Sequence, residues 1–260
     1  MRLYENRIVV KVGTSMLTNE LGKSNLNAFY RLAHVLSDIQ NWGYQIILVS
    51  SAAIALGYNK LQNKPSNICT KQAAAAIGQC SMLHLYSKFF AEYDTIIGQI
   101  LLNVEDIEQE EKKNNLTNTF NALLNINIIP IVNGNDSAGY TKSEKKLLGD
   151  NDMLSAVITV LCKAKRLIFL SDIKGLYAKA SLLYPHIKQN KQINENMYAL
   201  AEGAGSRRDT GGMKTKIQAA NLAAANGADT FIINGKNPEI LYEIIKGNSA
   251  GTFFPGAASQ

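Results

Sequence analysis

Cysteine and histidine are scarce here, three of each in 260 residues. Cys69, Cys80 and Cys162 are odd in number and none stands in C-x-x-C spacing, which argues against a disulfide framework or a structural zinc site and suits a reducing cytoplasm. Proline is limited to five residues and the nineteen glycines follow no regular period, so collagen-like and solenoid architectures are excluded. Long apolar runs are missing too: stretches such as residues 46–49 fall far short of the roughly 18 residues a membrane-spanning helix needs. Before Lys11 the amino-terminal MRLYENRIVVKVG offers three consecutive apolar residues, too few for the core of an export signal. A soluble, cytoplasmic protein that does not engage a membrane is therefore expected. With 46% hydrophobic and 18% charged residues the chain lies outside the disordered class. The net charge of +6 is scattered along the sequence, so it points to small anions rather than to nucleic acid.

What is abundant is alternation. Apolar, β-branched runs at 7–11, 44–50, 95–102, 127–133, 166–171 and 229–234 read as buried strands. Between them, 25–42, 71–93, 117–124, 152–162 and 213–226 have helical spacing or Ala-rich composition. A βα order with right-handed crossovers places helices on both faces of a sheet, which predicts an α/β fold: a three-layer αβα sandwich around a mostly parallel central sheet. No linker rich in Pro, Gly or Ser interrupts it, so residues 1–260 are read as a single domain. The polar, turn-rich stretch 135–149 and the Lys- and Asn-rich stretch 178–208 break the rhythm and are candidate lids.

Ligands of such sheets gather at the carboxyl ends of the strands, and that is where the polar residues fall. The first strand runs into Lys11-Val12-Gly13-Thr14-Ser15, an ammonium beside a turn with open N–H groups, suited to an anion; a surface lysine before an ordinary turn would read the same way. The second ends in Ser50-Ser51-Ala52-Ala53, whose small side chains allow close approach of a ligand or tight helix packing. The fourth ends in Asn133-Gly134-Asn135-Asp136, a carboxylate with two amides that suits an amino group plus a carboxylate, or a plain Asx turn. Gly149-Asp150-Asn151-Asp152 opens a helix; one of these residues could be its N-cap, but two carboxylates ask for cationic partners. Ser171-Asp172 ends the fifth strand. Thr210-Gly211-Gly212-Met213-Lys214-Thr215-Lys216 is a Gly-rich turn into a helix that carries two lysines, suited to a phosphate chain. Gly22-Lys23-Ser24 lacks the first glycine of a P-loop, and Gly203-Ala204-Gly205 lacks the strand and third glycine of a dinucleotide fingerprint. His34, His84 and His186 stand apart from these turns, and Cys80 and Cys162 fall in apolar helical patterns that place them in the core. Two lysine-bearing turns around an acidic cluster, with no His or Cys nucleophile, suggest phosphoryl transfer by positioning and charge neutralisation.

Taken together, VVKVGTS, LVSSAAIALG, KQAAAAIGQ, GQILLN, IPIVNGND, GDNDMLSA, LSDIKGLY, TGGMKTK and GTFF resemble the amino acid kinase family, in order and over essentially the whole chain. Within it they are similar to the branch that acts on the side-chain carboxylate of glutamate. The resemblance implies transfer of the γ-phosphate of ATP to L-glutamate, the first step of proline synthesis, with Mg2+ bridging phosphates and no direct metal ligand assignable. It implies that Lys11 and Lys216 neutralise the moving phosphoryl group and that Asp152 orients them. It places Ser51, Asp136 and Asn151, with Asn133 and Asp150 nearby, at the glutamate. Lys11 with Gly13, Ser171-Asp172 and the Thr210–Lys216 segment fall to ATP. It also implies a homo-oligomer, dimer or tetramer, and proline as a feedback inhibitor. Many relatives carry a C-terminal RNA-binding-like PUA domain; this chain is expected to be the short form without it.

The sequence departs from the family where Ala52 replaces a usual Gly, Gly134 a usual Glu and Asp209 a usual Gly. These changes keep two alternatives open: a related enzyme with another acceptor, N-acetylglutamate or UMP, or a non-catalytic ligand-binding homologue.

Overall fold

The apolar runs form strands, five of them buried on both faces and the sixth, at the sheet edge, only partly buried. In the computed structural model, which describes residues 6–61, 67–103, 105–138, 151–172, 212–248 and 250–257, these are β1 (Arg7–Val12), β2 (Gln45–Ser50), β3 (Ile97–Leu102), β4 (Ile129–Gly134), β5 (Arg166–Ser171) and β6 (Asp229–Asn234). All six are parallel, and a short β7 (Thr252–Phe254) closes one edge antiparallel to β6. The order is β3-β4-β2-β1-β5-β6-β7, with β1 central and the connections running away from it on both sides. Such a switch point opens a crevice beyond the carboxyl ends of β1, β2 and β5.

The helices, among the described residues, are α1 (Thr14–Leu17), α2 (Leu26–Asn41), α3 (Ala53–Leu61), α4 (Ile68–Ala91), α5 (Glu105–Glu108), α6 (Glu110–Asn125), α7 (Asn151–Leu161), α8 (Met213–Ala225) and α9 (Ile240–Ile245). The period of two in the strands sorts them into layers. Val9, Ile47, Val49, Val132, Leu167 and Phe169 pack with α6, α7 and α8 on one face. Ile8, Val10, Val12, Leu48, Ile131 and Leu170 pack with α1, α2, α4 and α9 on the other. The three-layer αβα sandwich expected from the sequence is the fold observed.

Local chemistry sets the helix starts. The Asn25 side chain accepts from the Ala28 N–H to cap α2, and Asn67 and Thr70 form a reciprocal capping box on α4. Helices α3 and α4 meet through glycine. A Cβ on Gly57 would lie 1.8 Å from the Ala74 carbonyl oxygen, and one on Gly78 would lie 1.6 Å from that of Ala53. At the amino end of the sheet, buried Arg7 donates to Gln45 Oε1, Asn121 Oδ1 and the Cys162 carbonyl, at 3.0, 3.2 and 2.6 Å.

Some expectations change. The helix read over 117–124 begins at Glu110, because its first turns are exposed and polar and so carry no apolar period. Cys80 is exposed rather than in the core. It points away from the face of α4 that buries Ala74, Ala75, Gly78, Met82 and Tyr86. Cys162 is buried, and burial pushes its thiol up to about 12. Of the two candidate lids, 139–149 and 178–208 lie outside the described residues, as do Asp150, Thr210, Gly211, Asp209 and His186.

Candidate functional site

Alternation along β1 decides where Lys11 goes. Its side chain follows Val9 onto the face covered by α7 and α8, and there it is 5% exposed. Asp152, in the first turn of α7, is fully buried opposite it, and Lys11 Nζ lies 2.6 Å from Asp152 Oδ1. Lys216 reaches the same carboxylate from the first turn of α8, its Nζ 3.0 Å from Asp152 Oδ2. One aspartate therefore bridges two ammonium groups that stand far apart in sequence. Burial alone would raise the Asp152 carboxyl, but Lys11 and Lys216 overcome it and hold the group below the usual carboxylate range. Two buried ammonium groups gathered on one carboxylate can serve as a receptor for an anion. Lys214 is exposed on the same helix, so the two lysines of the TGGMKTK turn face opposite ways.

The start of α8 adds donors. Gly212 is its N-cap, with no side-chain hydrogen bond to the helix, and among the described residues no atom beyond its chain neighbours and its own helix backbone lies within 4 Å of where a Cβ would stand. An uncapped helix start beside a buried lysine is an electropositive cradle for phosphate oxygens. Across the crevice, Gly13 follows β1 and its N–H is held by the Leu170 carbonyl at 3.2 Å. Ser171 and Asp172 end β5, where the Ser171 hydroxyl donates to Asp172 Oδ1 at 3.3 Å. Asn234 Nδ2 donates to the Asp172 carbonyl at 3.3 Å and the Gly235 N–H to that of Ser171 at 2.8 Å. Asn234-Gly235 was not singled out in the sequence, although an Asn-Gly pair closing a strand was a readable signal.

The residue preceding Asp152 turns the other way. Asn151 does not cap its own helix; its Nδ2 donates to the Ser50 carbonyl at 3.0 Å, Ser51 Oγ at 3.1 Å and Asn133 Oδ1 at 3.0 Å. Asn133 in turn accepts from the Gly134 N–H at 2.9 Å and donates to Gln79 Oε1 at 2.9 Å. Beneath them the Ser50 hydroxyl meets Tyr86 OH at 2.8 Å. Asp136 closes the same cleft with Asn135 and Ala53. Burial raises its carboxyl above the usual value, with Lys71 opposing. Ala52, between Ser51 and α3, has φ +86°, a backbone conformation that favours glycine and is strained with a Cβ present.

The structure thus brings Lys11, Lys216 and Asp152 into one cluster and Ser51, Asn133 and Asn151 into another, with Asp136 alongside. Gln79, which the sequence reading passed over inside KQAAAAIGQ, joins the second. His34 and His84 lie elsewhere: His34 sits 3.5 Å from Asp38 on α2 and His84 is exposed on α4.

Residues 6–234 match the model of the amino acid kinase family, and the chain belongs to that family. It is 48% identical over 254 residues to glutamate 5-kinase of Clostridium perfringens, covering 95% of this chain and 94% of that one. Glutamate 5-kinase of Enterococcus faecalis is 44% identical over 257 residues, again covering 95% and 94%. Among solved structures, Giardia carbamate kinase superposes with a TM-score of 0.66 at 14% identity, covering 97% of this chain and 99% of the other. UMP kinase from Ureaplasma parvum gives 0.62 at 12% identity, covering 96% and 100%. These two likenesses speak for the fold alone.

Proposed function

We propose, from membership of the amino acid kinase family, that this chain moves the γ-phosphoryl group of ATP onto the side-chain carboxylate of L-glutamate, the first step of proline synthesis, in the cytoplasm. The activity follows the curated relatives named glutamate 5-kinase, at 44–48% identity over nearly the full length of both chains. The observation that carries it structurally is the divergence of two adjacent residues. Asp152 holds two buried ammonium groups on one side, and Asn151 organises an amide and hydroxyl pocket on the other. A phosphate donor and a polar acceptor bound on either side would meet at the first turn of α7.

In this reading the ATP phosphates lie over the start of α8, contacted by Gly212, Met213, Thr215 and Lys216, with Gly13 and Lys11 on the opposite wall. Ser171 and Asp172 bound the nucleoside end, and Thr210, Gly211 and Lys214 belong to the same nucleotide segment. Ser51, Asn133 and Asn151, with Asp150, receive the acceptor, and Asp136 pairs with its amino group. A γ-carboxylate oxygen attacks the γ-phosphorus; the bond to the β-phosphate oxygen breaks, and ADP leaves with that electron pair. The attacking carboxylate is already ionised at neutral pH, so no general base is required. Lys11 and Lys216 offset charge on the transferring oxygens, and Asp152 keeps both ammonium groups pointed at them.

Among the described residues no group of three His, Cys, Asp or Glu side chains could hold a metal ion. Magnesium would enter with ATP and would supply neutralisation of phosphate charge beside Lys11 and Lys216. A homo-oligomer, dimer or tetramer, and feedback inhibition by proline complete the proposal. So does an amino acid kinase domain spanning residues 1–260.

A coupled ADP-release assay against L-glutamate, N-acetylglutamate and UMP tests the reading. Turnover with L-glutamate that disappears in Lys216→Ala supports it. Turnover only with N-acetylglutamate or UMP, or ligand binding without any turnover, defeats it.

A further inference from the structure

The hydrogen bonds around Asn133 have a direction, and one fixed donor sets it. A backbone N–H can only donate, so the Gly134 N–H, 2.9 Å from Asn133, makes that atom the side-chain oxygen. Asn151 must then present its Nδ2 to the same oxygen, and Asn133 has only its own Nδ2 left for Gln79. Gln79 consequently turns its Oε1 to Asn133. Its Nε2 is left buried with no hydrogen-bond partner among the described residues. A buried N–H without an acceptor costs about 1–3 kcal/mol, and such orphans call for a reason.

The surroundings supply one. Gln79 lines a cleft with Ala53, Ala75, Asn133, Asn135 and Asp136, and the space inside is about 10 Å³, room for a single oxygen-sized atom. The side chain is held there by the backbone, because Gly78 lets α4 touch the Ala53 carbonyl.

We propose that Gln79 Nε2 is a specificity-determining donor for the α-carboxylate of the acceptor, an inference that rests on the phosphoryl-transfer reading above. An N–H donor is unsuited to the substrate's ammonium group, which is left to Asp136. The γ-carboxylate is committed to the lysine side of α7. The α-carboxylate is the remaining anionic group, and one of its oxygens fills the cleft. An amino acid with a free α-carboxylate is thereby preferred over acceptors that lack one.

Gln79→Glu keeps an oxygen for Asn133 and replaces the donor by a second oxygen; Gln79→Met removes the donor without adding charge. Steady-state kinetics should show the KM for L-glutamate rising roughly 10- to 100-fold in both, the span of one hydrogen bond to a charged group, with the KM for ATP changing less than about 2-fold. If Gln79→Glu fails to fold, Gln79→Met decides. An unchanged glutamate KM in a folded variant overturns the assignment, and so does a loss confined to kcat, which would place the donor on the reacting carboxylate. Wild-type protein inert toward L-glutamate would sink the parent reading instead, and is told apart because it precedes any variant.

Discussion

Replacing Asp152 by Asn removes one charge from the centre of the site and leaves the shape intact. In the native protein the carboxylate is fully buried, with ammonium groups at 2.6 and 3.0 Å, both themselves at most 5% exposed. At an effective dielectric of about 20 a single contact at 4 Å is already about 4 kcal/mol, though desolvation of all three ions offsets much of this. The substitution takes the bridging carboxylate from two buried ammonium groups, and the net loss for breaking a buried ion pair is about 3–5 kcal/mol. Against a typical total of about 5–15 kcal/mol, urea unfolding should show a clear fall in midpoint. Turnover should fall at least about 100-fold, because the lysines lose the group that aims them. The pH dependence has a definite sign. The folded carboxyl titrates below its unfolded value, so its contribution is complete above the ordinary carboxylate range and disappears only as pH falls through the lowered folded value. The gap between wild type and Asp152→Asn should therefore be constant from pH 8 to 5 and close only in stronger acid. A variant that unfolds at the wild-type urea concentration and keeps its turnover would refute the bridging role.

Gly78→Ala should lower stability by about 1–3 kcal/mol or more, since the new methyl would overlap the Ala53 carbonyl; thermal unfolding checks this, and a raised glutamate KM is expected as Gln79 shifts. Ala52→Gly should relieve backbone strain at φ +86° worth about 1–2 kcal/mol, partly offset by the lost buried methyl and a looser unfolded chain, for a net gain of up to about 1 kcal/mol in urea unfolding. Asp136 must be ionised to pair with an ammonium group, and its carboxyl is raised. The glutamate KM should accordingly worsen as pH drops into a window above the ordinary carboxylate value, and Asp136→Asn should abolish that dependence.

Much of this was legible in the sequence because strands of a largely buried parallel sheet leave apolar runs, and six such runs match the observed strands to within a few residues at either end. β7 was not, since Thr252–Phe254 is three residues long and shows no period. Helix α5 was missed for the same reason of length. Site positions at strand ends were readable as turn chemistry, but their partners were not. Nothing local says that Lys216 points inward and Lys214 outward, or that one aspartate serves lysines on two other elements. Asn151 looked like a cap by residue type, and only its contacts with Ser50, Ser51 and Asn133 show otherwise. Gln79 is invisible to motif reading because its role depends on where the helix glycine at 78 allows α4 to sit.

The most direct test is a structure of the protein with a non-hydrolysable ATP analogue and L-glutamate bound together. The terminal phosphate should lie about 3 Å from both Lys11 Nζ and Lys216 Nζ, with a glutamate γ-carboxylate oxygen in line behind it. A triphosphate held away from either lysine, or an acceptor on the far side of Asp152, would contradict the mechanism.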